Sequence, residues 1–238
     1  MDHLFLNLKL IDVDQSLCRN ITAPKESEKV YDDLTESPED LVVAEEAEAN
    51  AQPPYWSGSP AVGFSALDLL WQDAIGYPFN KLQPSRFSDG SFGVWYGSDK
   101  LETSIYETAY HLYYKGVLDD ANYDAEGVVF ERSIYFVKCS AELVDLRVDL
   151  QQYPDFLNKK NYTFCRSFGA RLKYEGYVGL LTYSARYDIG LNFVILDYDV
   201  LSDPHYDCCL TYELQGDFIR VEKISGEFLM NIELSEFA

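Results

Sequence analysis

An arginine, a tyrosine and a glutamate share one short stretch of this 238-residue chain, RFSDGSFGVWYGSDKLETSIYETAYH, from Arg86 to His111. A guanidinium holds phosphate oxygens in pairs. A tyrosine ring stacks on a flat heterocycle, and a glutamate stabilises a developing positive charge or activates a hydroxyl. Together these residues suit a ligand that carries both phosphate and sugar. The same stretch suggests how they are placed. Gly90 and Gly93 bracket a turn after Arg86, Val94-Trp95-Tyr96 reads as a short apolar strand, and a helix runs from about Leu101 to Tyr114, stopped by Gly116. Asp99 and Glu102 fit a capping box with Asp99 as the N-cap. Leu101, Ile105, Ala109 and Leu112 form one apolar stripe at helical spacing. Glu107 lies off that stripe, on a face with Thr103, Tyr110 and Tyr114. If the helix touches protein on two sides, Glu107 points into a cleft.

Two residues elsewhere belong to the same inventory. Ser184 follows the apolar run GLLTY, so it should lie at a strand end, where ligands often bind. Arg19, in SLCRNI, is a cation among apolar neighbours and needs an anionic partner if buried. Each of these residues also has a plainer reading: Arg86 as a surface arginine answering nearby acids, Tyr96 as core, Glu107 as a solvated glutamate and Ser184 as a turn residue.

The elements that must position them follow from pattern. Residues 1–22 alternate loosely and suggest an edge strand. Residues 24–52 are acidic and read equally as a helix, with Pro38 in its first turn, or as a solvated linker. Residues 53–63 are turn-rich, and 64–71 read as a short amphipathic helix. Residues 127–139 and 141–147 read as two strands, 161–176 as a helix with a glycine stop, and 177–185 and 191–198 as strands. Residues 208–214 and 218–224 form a hairpin about Gln215-Gly216-Asp217. Strands outnumber helices without strict alternation, which indicates an α+β fold around a mainly antiparallel or mixed sheet in a single domain, residues 1–238.

Composition narrows the function. The formal net charge of −21 argues against a non-specific nucleic-acid binder and against anionic membranes. An anionic ligand would need a local positive pocket set against the protein's own field. The five cysteines show no CxxC spacing and read as free thiols of a reducing, cytoplasmic compartment. The N-terminus lacks the features of a signal peptide, and no run approaches the roughly 18 apolar residues of a membrane span. GxGxxG, GxxxxGK[ST] and GxSxG are all missing. The three histidines, His3, His111 and His205, are not spaced as a metal pair, so no metal site is expected.

Taken together, the motifs resemble the RES-domain family, named for an arginine, a glutamate and a serine. SRFSDGSFGVWYGSDKLETSIYETAYH is similar to that family's strand–helix core, FCRSFGARLKYEGYVGLLTYSARYDIGLNFVIL to its helix–strand–strand segment, and LTYELQGDFI to its terminal hairpin. LCRNI is a weaker match to its opening arginine strand, and the likeness spans about residues 15 to 225. The resemblance implies an ADP-ribosyltransferase-like fold, a mixed sheet with flanking helices, and an enzyme that acts on NAD. It further implies a toxin that depletes NAD by phosphorolysis or hydrolysis, restrained by an Xre-like antitoxin that covers the site. Glu107, Arg86 and Ser184 become the catalytic residues, and Arg19, Arg86, Tyr96 and Ser184 the contacts to NAD. NAD enters as substrate, with inorganic phosphate as a candidate co-substrate and no further cofactor. A homodimer is compatible with the chain. The alternatives are a protein ADP-ribosyltransferase and a catalytically silent binding module. One departure stands out: Arg166 occupies a position where the family often has glutamine, which adds a phosphate contact or alters the pocket.

Overall fold

Valine, isoleucine, phenylalanine and tyrosine recur from Val129 to Asp145, and the chain stays extended over all 17 residues as one strand, β3. The sequence pattern breaks at Ser140, which suggested two strands. The structure has one because pairing decides the matter: Ser140 and Ala141 lie opposite Asp14 and Val13 of strand β1 (Leu10–Thr22), in a ladder that runs unbroken from Leu10↔Val144 to Thr22↔Arg132. The computed structural model describes residues 2–22, 70–113, 129–148, 150–224 and 226–237. Contacts divide the chain into one unit of Met1–Thr22 with Leu70–Ala238, and a second of Ala23–Leu69. The second unit lies outside the described residues. So do the acidic segment, the turn-rich 53–63, all but the end of the 64–71 helix, and Tyr114 with Gly116.

The remaining strands are β2 (Trp95–Ser98), β4 (Gly179–Tyr183), β5 (Leu191–Ile195), β6 (Leu201–Gln215), β7 (Phe218–Ile224) and β8 (Glu227–Glu233). They form one sheet in the order β1-β2-β5-β4-β3-β6-β7-β8, antiparallel throughout except for β3 against β4. The fold class is therefore α+β with a mixed sheet. β1 pairs with both β2 and β3, so it is not an edge strand: β1, β2, β5, β4 and β3 form a closed circuit of pairings, joined between β1 and β2 by the single pair Cys18↔Ser98. The β6–β7 hairpin turns at Gly216, whose φ of +57° suits glycine. Strand β8 was not anticipated from the sequence.

Alternation along the strands sorts the side chains. Trp95, Leu181, Phe193 and Ile195 bury on one face with Leu17, Val137 and Leu143. Two helices cover the other face. One, α1 (Leu101–His111), seats Ile105 and Ala109 on Ile134, Leu210 and Val221. The other, α2 (Thr163–Glu175), seats Phe168 and Leu172 on Leu180 and Val194. The two helices build separate cores, and the strand surface between them is where polar side chains can face a cleft.

Local chemistry fixes each helix. The stripe Ile105–Ala109 is fully buried, as its spacing requires, and Leu101 and Leu112 pack at its margins. The capping box does not form. Lys100 occupies the N-cap without a side-chain bond, and Asp99 is used elsewhere: its Oδ1 accepts from Thr103 Oγ1 at 2.8 Å and from the Leu191 amide at 3.0 Å. That carboxylate ties the start of α1 to β5. Helix α2 ends at Gly176, in the left-handed conformation at φ +83°, as expected of a glycine stop.

Gly169 has a different task. A Cβ there would lie 2.0 Å from the carbonyl oxygen of Phe87, so α2 rests directly on the backbone that follows Arg86. Gly169→Ala should push helix and loop apart and cost about 1–3 kcal/mol of stability, read as a lowered denaturant midpoint with an unchanged m-value.

Candidate active site

Val94, Tyr96 and Ser98 alternate with Trp95 and Gly97, so Tyr96 emerges on the helix-bearing face beside Val194, its partner on β5. Asn192 follows on that face, between Ser98 of β2 and Thr182 of β4. Off its apolar stripe, α1 presents Glu107 to this ground. Ser184 stands just past the end of β4. The result is a short chain of bonds: Ser98 Oγ donates to Asn192 Oδ1 at 3.0 Å, Asn192 Nδ2 donates to Glu107 Oε1 at 2.6 Å, and Ser184 Oγ donates to the same Oε1 at 2.6 Å. Both bonds fall on one carboxylate oxygen. Oε2 makes none with a described residue.

Two adjoining cavities share the wall that holds Glu107, Tyr96, His111 and Asn192. The first, about 310 Å³, adds Arg86, Arg166, Tyr162 and Thr182. The second, about 260 Å³, adds Arg19, Arg132, Asn20 and the hydroxyl residues Ser98, Ser104 and Thr108. Arg86 lies over the Tyr162 ring at 4.5 Å and donates through one nitrogen, Nη1, to the carbonyls of Asn158 (2.8 Å) and Phe156 (3.2 Å). Arg166 is steered by Nε to the Ser85 carbonyl at 2.9 Å, so it adds a second cation to the same wall. Thr182 Oγ1 is buried there without a hydrogen-bond partner.

Tyr96 anchors the loop that carries Arg86. Its hydroxyl donates to Ser85 Oγ at 2.9 Å and accepts from the Phe87 amide at 3.1 Å. Burial pushes the phenol up to about 12, although both hydrogen bonds oppose that shift. Arg19 reaches from β1 to the Tyr96 carbonyl through Nη1 at 2.8 Å, and its guanidinium lies 5.3 Å from the centre of the Trp95 ring. Burial, with Arg132 nearby, draws Arg19 down to about 10, which still leaves it cationic at neutral pH.

The structure therefore gathers Arg19, Arg86, Tyr96 and Glu107 around the two cavities. Ser184 is also brought in, but it lines neither cavity. It is 4% exposed, and its oxygen is fully committed: besides donating to Glu107 it accepts the amides of Arg186 (3.0 Å) and Tyr187 (3.1 Å). Its place is behind the carboxylate. Sequence reasoning missed Asn192, Tyr162, Arg132 and Arg186. Asn192 had a signal, a lone amide inside the apolar run LNFVIL. Arg186 had one too, two residues beyond Ser184. It is buried with its guanidinium 3.2 Å from the Tyr110 ring centre and donates from Nη2 to the Lys159 carbonyl and the Tyr162 hydroxyl. Among the described residues no cluster of three or more His, Cys, Asp or Glu could hold a metal, and no helix is long and apolar enough to cross a membrane.

The RES-domain family model matches residues 67–215, more than half of the chain. The chain belongs to the RES-domain family. The match takes in Arg86, Tyr96, Glu107, Arg132, Arg166, Ser184 and Asn192, while Arg19 on β1 precedes it. No curated protein matches the RES chain significantly. Among solved structures, the crystal structure of the M. tuberculosis MbcT–MbcA toxin–antitoxin complex aligns at 10% identity over 83% of this chain and 86% of that one, with a TM-score of 0.47.

Two outcomes test the architecture of this RES site. Ser184→Ala strands two buried amides and should cost about 1–3 kcal/mol, measured by urea unfolding. Tyr96 has a folded pKa of about 12, above the unfolded value of about 10. Its contribution is fully present below about pH 10 and is lost as pH rises towards 12. The unfolding midpoint should fall across that window, and fall less in Tyr96→Phe.

Proposed function

We propose that this RES-family chain is an NAD-consuming enzyme that breaks the nicotinamide–ribose bond, and that it serves as the toxin of a toxin–antitoxin pair. The observation that carries the reading is the placement of Glu107. One oxygen of its carboxylate is pinned by two side chains, and the group sits in the wall shared by two arginine-bearing cavities. Family membership points to NAD, and NAD chemistry fits such a site. The nicotinamide nitrogen already carries positive charge, so it leaves as a neutral molecule by taking the electron pair of the breaking bond, and no acid is required. The step does require a fixed negative charge beside the ribose carbon as that carbon becomes cationic, a role suited to Glu107.

The surrounding residues then take defined parts. Arg86 and Arg166 hold the pyrophosphate, and Tyr162 and Tyr96 supply ring faces for the bases. Ser184 and Asn192 act through Glu107, keeping Oε1 occupied so that Oε2 meets the ribose. They are positioning residues. The ribose carbon takes an oxygen from inorganic phosphate, giving ADP-ribose 1″-phosphate, or from water, giving ADP-ribose.

Glu107→Gln preserves volume and removes the charge. It should lower NAD consumption by at least ~100-fold in a chromatographic assay, with the unfolding midpoint little changed. A variant that consumes NAD at the wild-type rate overturns the assignment. Modified protein with little free product would favour transfer of ADP-ribose to a protein instead. For the toxin role, expression of the wild type should arrest growth as cellular NAD falls. Glu107→Gln should do neither, and co-expression of a small Xre-like helix-turn-helix protein encoded beside it should restore growth.

A further inference from the structure

Three donors converge on one backbone carbonyl beside the first cavity. The oxygen of Lys159 accepts from Arg186 Nη2 at 2.9 Å, from the Tyr110 hydroxyl at 3.3 Å and from the Tyr162 hydroxyl at 3.4 Å. These donors come from the turn after β4, from α1 and from the 158–162 connection itself. That connection carries two of the groups that hold Arg86: the Asn158 carbonyl, which accepts its Nη1, and the Tyr162 ring under its guanidinium. Arg186 ties the set together. Its guanidinium lies 3.2 Å from the centre of the Tyr110 ring, and the same Nη2 donates to the Tyr162 hydroxyl at 3.3 Å. Its backbone amide donates to Ser184 Oγ, the hydroxyl that pins Glu107. The arrangement is costly. Arg186 is buried, its Nε and Nη1 have no hydrogen-bond partner among the described residues, and burial draws the guanidinium below its ordinary value. For stability alone, an apolar side chain of similar volume would serve as well or better. A guanidinium is required where one flat, forked donor must stack on a ring and reach two acceptors at once.

We propose that Arg186 is a positioning residue for substrate binding: it fixes the 158–162 connection, and with it Tyr162 and the Asn158 carbonyl, so that Arg86 is presented to the first cavity. The proposal rests on the NAD-cleaving role described above, in which Arg86 holds the pyrophosphate. Arg186 lines neither cavity and acts only through these neighbours. One short turn then sets both ends of the site. Ser184 places the carboxylate, and Arg186, two residues on, places the arginine. Glu107 keeps its bonds to Ser184 and Asn192 whatever stands at position 186, because the turn meets Ser184 Oγ through a backbone amide. Loss of the guanidinium therefore weakens the hold on the dinucleotide and spares the bond-breaking step.

Arg186→Met on the full chain tests this. Methionine fills the space, and the Lys159 carbonyl keeps its two tyrosine donors. The KM for NAD should rise about 10-fold with kcat within about threefold. The urea unfolding midpoint should hold or rise. Arg186→Lys keeps the charge but loses the flat stack and the fork, so its KM should lie within about threefold of the methionine variant's. A role confined to folding would lower the midpoint and reduce kcat in step with the folded fraction at an unchanged KM, and that result overturns the proposal. So does a lysine variant with the wild-type KM, since charge alone would then suffice. A wild-type protein that consumes no NAD would instead defeat the proposed activity. In that case, calorimetric titration with ADP-ribose, which carries the same pyrophosphate, decides the positioning role. A Kd about 10-fold weaker in Arg186→Met upholds it. An equal Kd, or no binding to the wild type, overturns it.

Discussion

Two hydrogen bonds to one carboxylate oxygen hold together three separate parts of the chain. Glu107 comes from α1, Asn192 from β5 and Ser184 from the turn after β4, and their donors meet at Oε1 at the same distance of 2.6 Å. The surrounding architecture follows from that point. The Asn192 amide can donate there because Ser98 holds its oxygen from the neighbouring strand. Ser184 can donate because two backbone amides fill its acceptor side. Asp99 fixes the start of α1 to the same strand that carries Asn192, so helix and strand cannot slide past one another. A carboxylate set in this way loses little freedom when a ligand arrives, which is what electrostatic stabilisation of a transient cation requires.

Much of this was legible in the sequence, for local reasons. The Arg86–His111 stretch carries its own turn, strand and helix, and the stripe from Leu101 to Leu112 told correctly which side of α1 is core. Gly176 stopped its helix and Gly216 turned its hairpin, because both sit where left-handed backbone is needed. The illegible parts depend on partners distant in sequence. β3 reads as two strands until β1 is laid beside it. Asp99 looks like an N-cap because its other partner, Leu191, lies far along the chain. Arg132 lies in an ordinary strand run, and only the register with Asn20 and Thr22 turns it towards a cavity. Ser184 was found by motif, but its position behind the carboxylate could not be read from a strand end.

Electrostatics sets the second constraint. A strongly acidic protein repels anionic ligands at a distance, so an anion site in it must be local and desolvated. Here the arginines are held by carbonyls and rings: Arg86 by Asn158 and Tyr162, Arg19 by Tyr96 and Trp95, Arg166 by Ser85. Carbonyl oxygens and ring faces orient a guanidinium without cancelling its charge, whereas a carboxylate partner would neutralise it. The same economy appears in the free thiols. Cys18 is in the wall of the second cavity, where burial pushes it up to about 11, so it remains a neutral thiol and adds no negative charge there.

The closed circuit of strands makes the two cavities mechanically unequal. The first is framed by the full β4–β5 ladder and by a loop seated on Gly169 of α2, so enlarging it means separating paired backbone or lifting a helix from a carbonyl. The second borders the junction of β1 and β2, where one residue pair, Cys18↔Ser98, completes the ring. Breathing of the sheet is therefore cheapest along that seam. Side chains around the second cavity can therefore shift without parting a long ladder, whereas those around the first cannot.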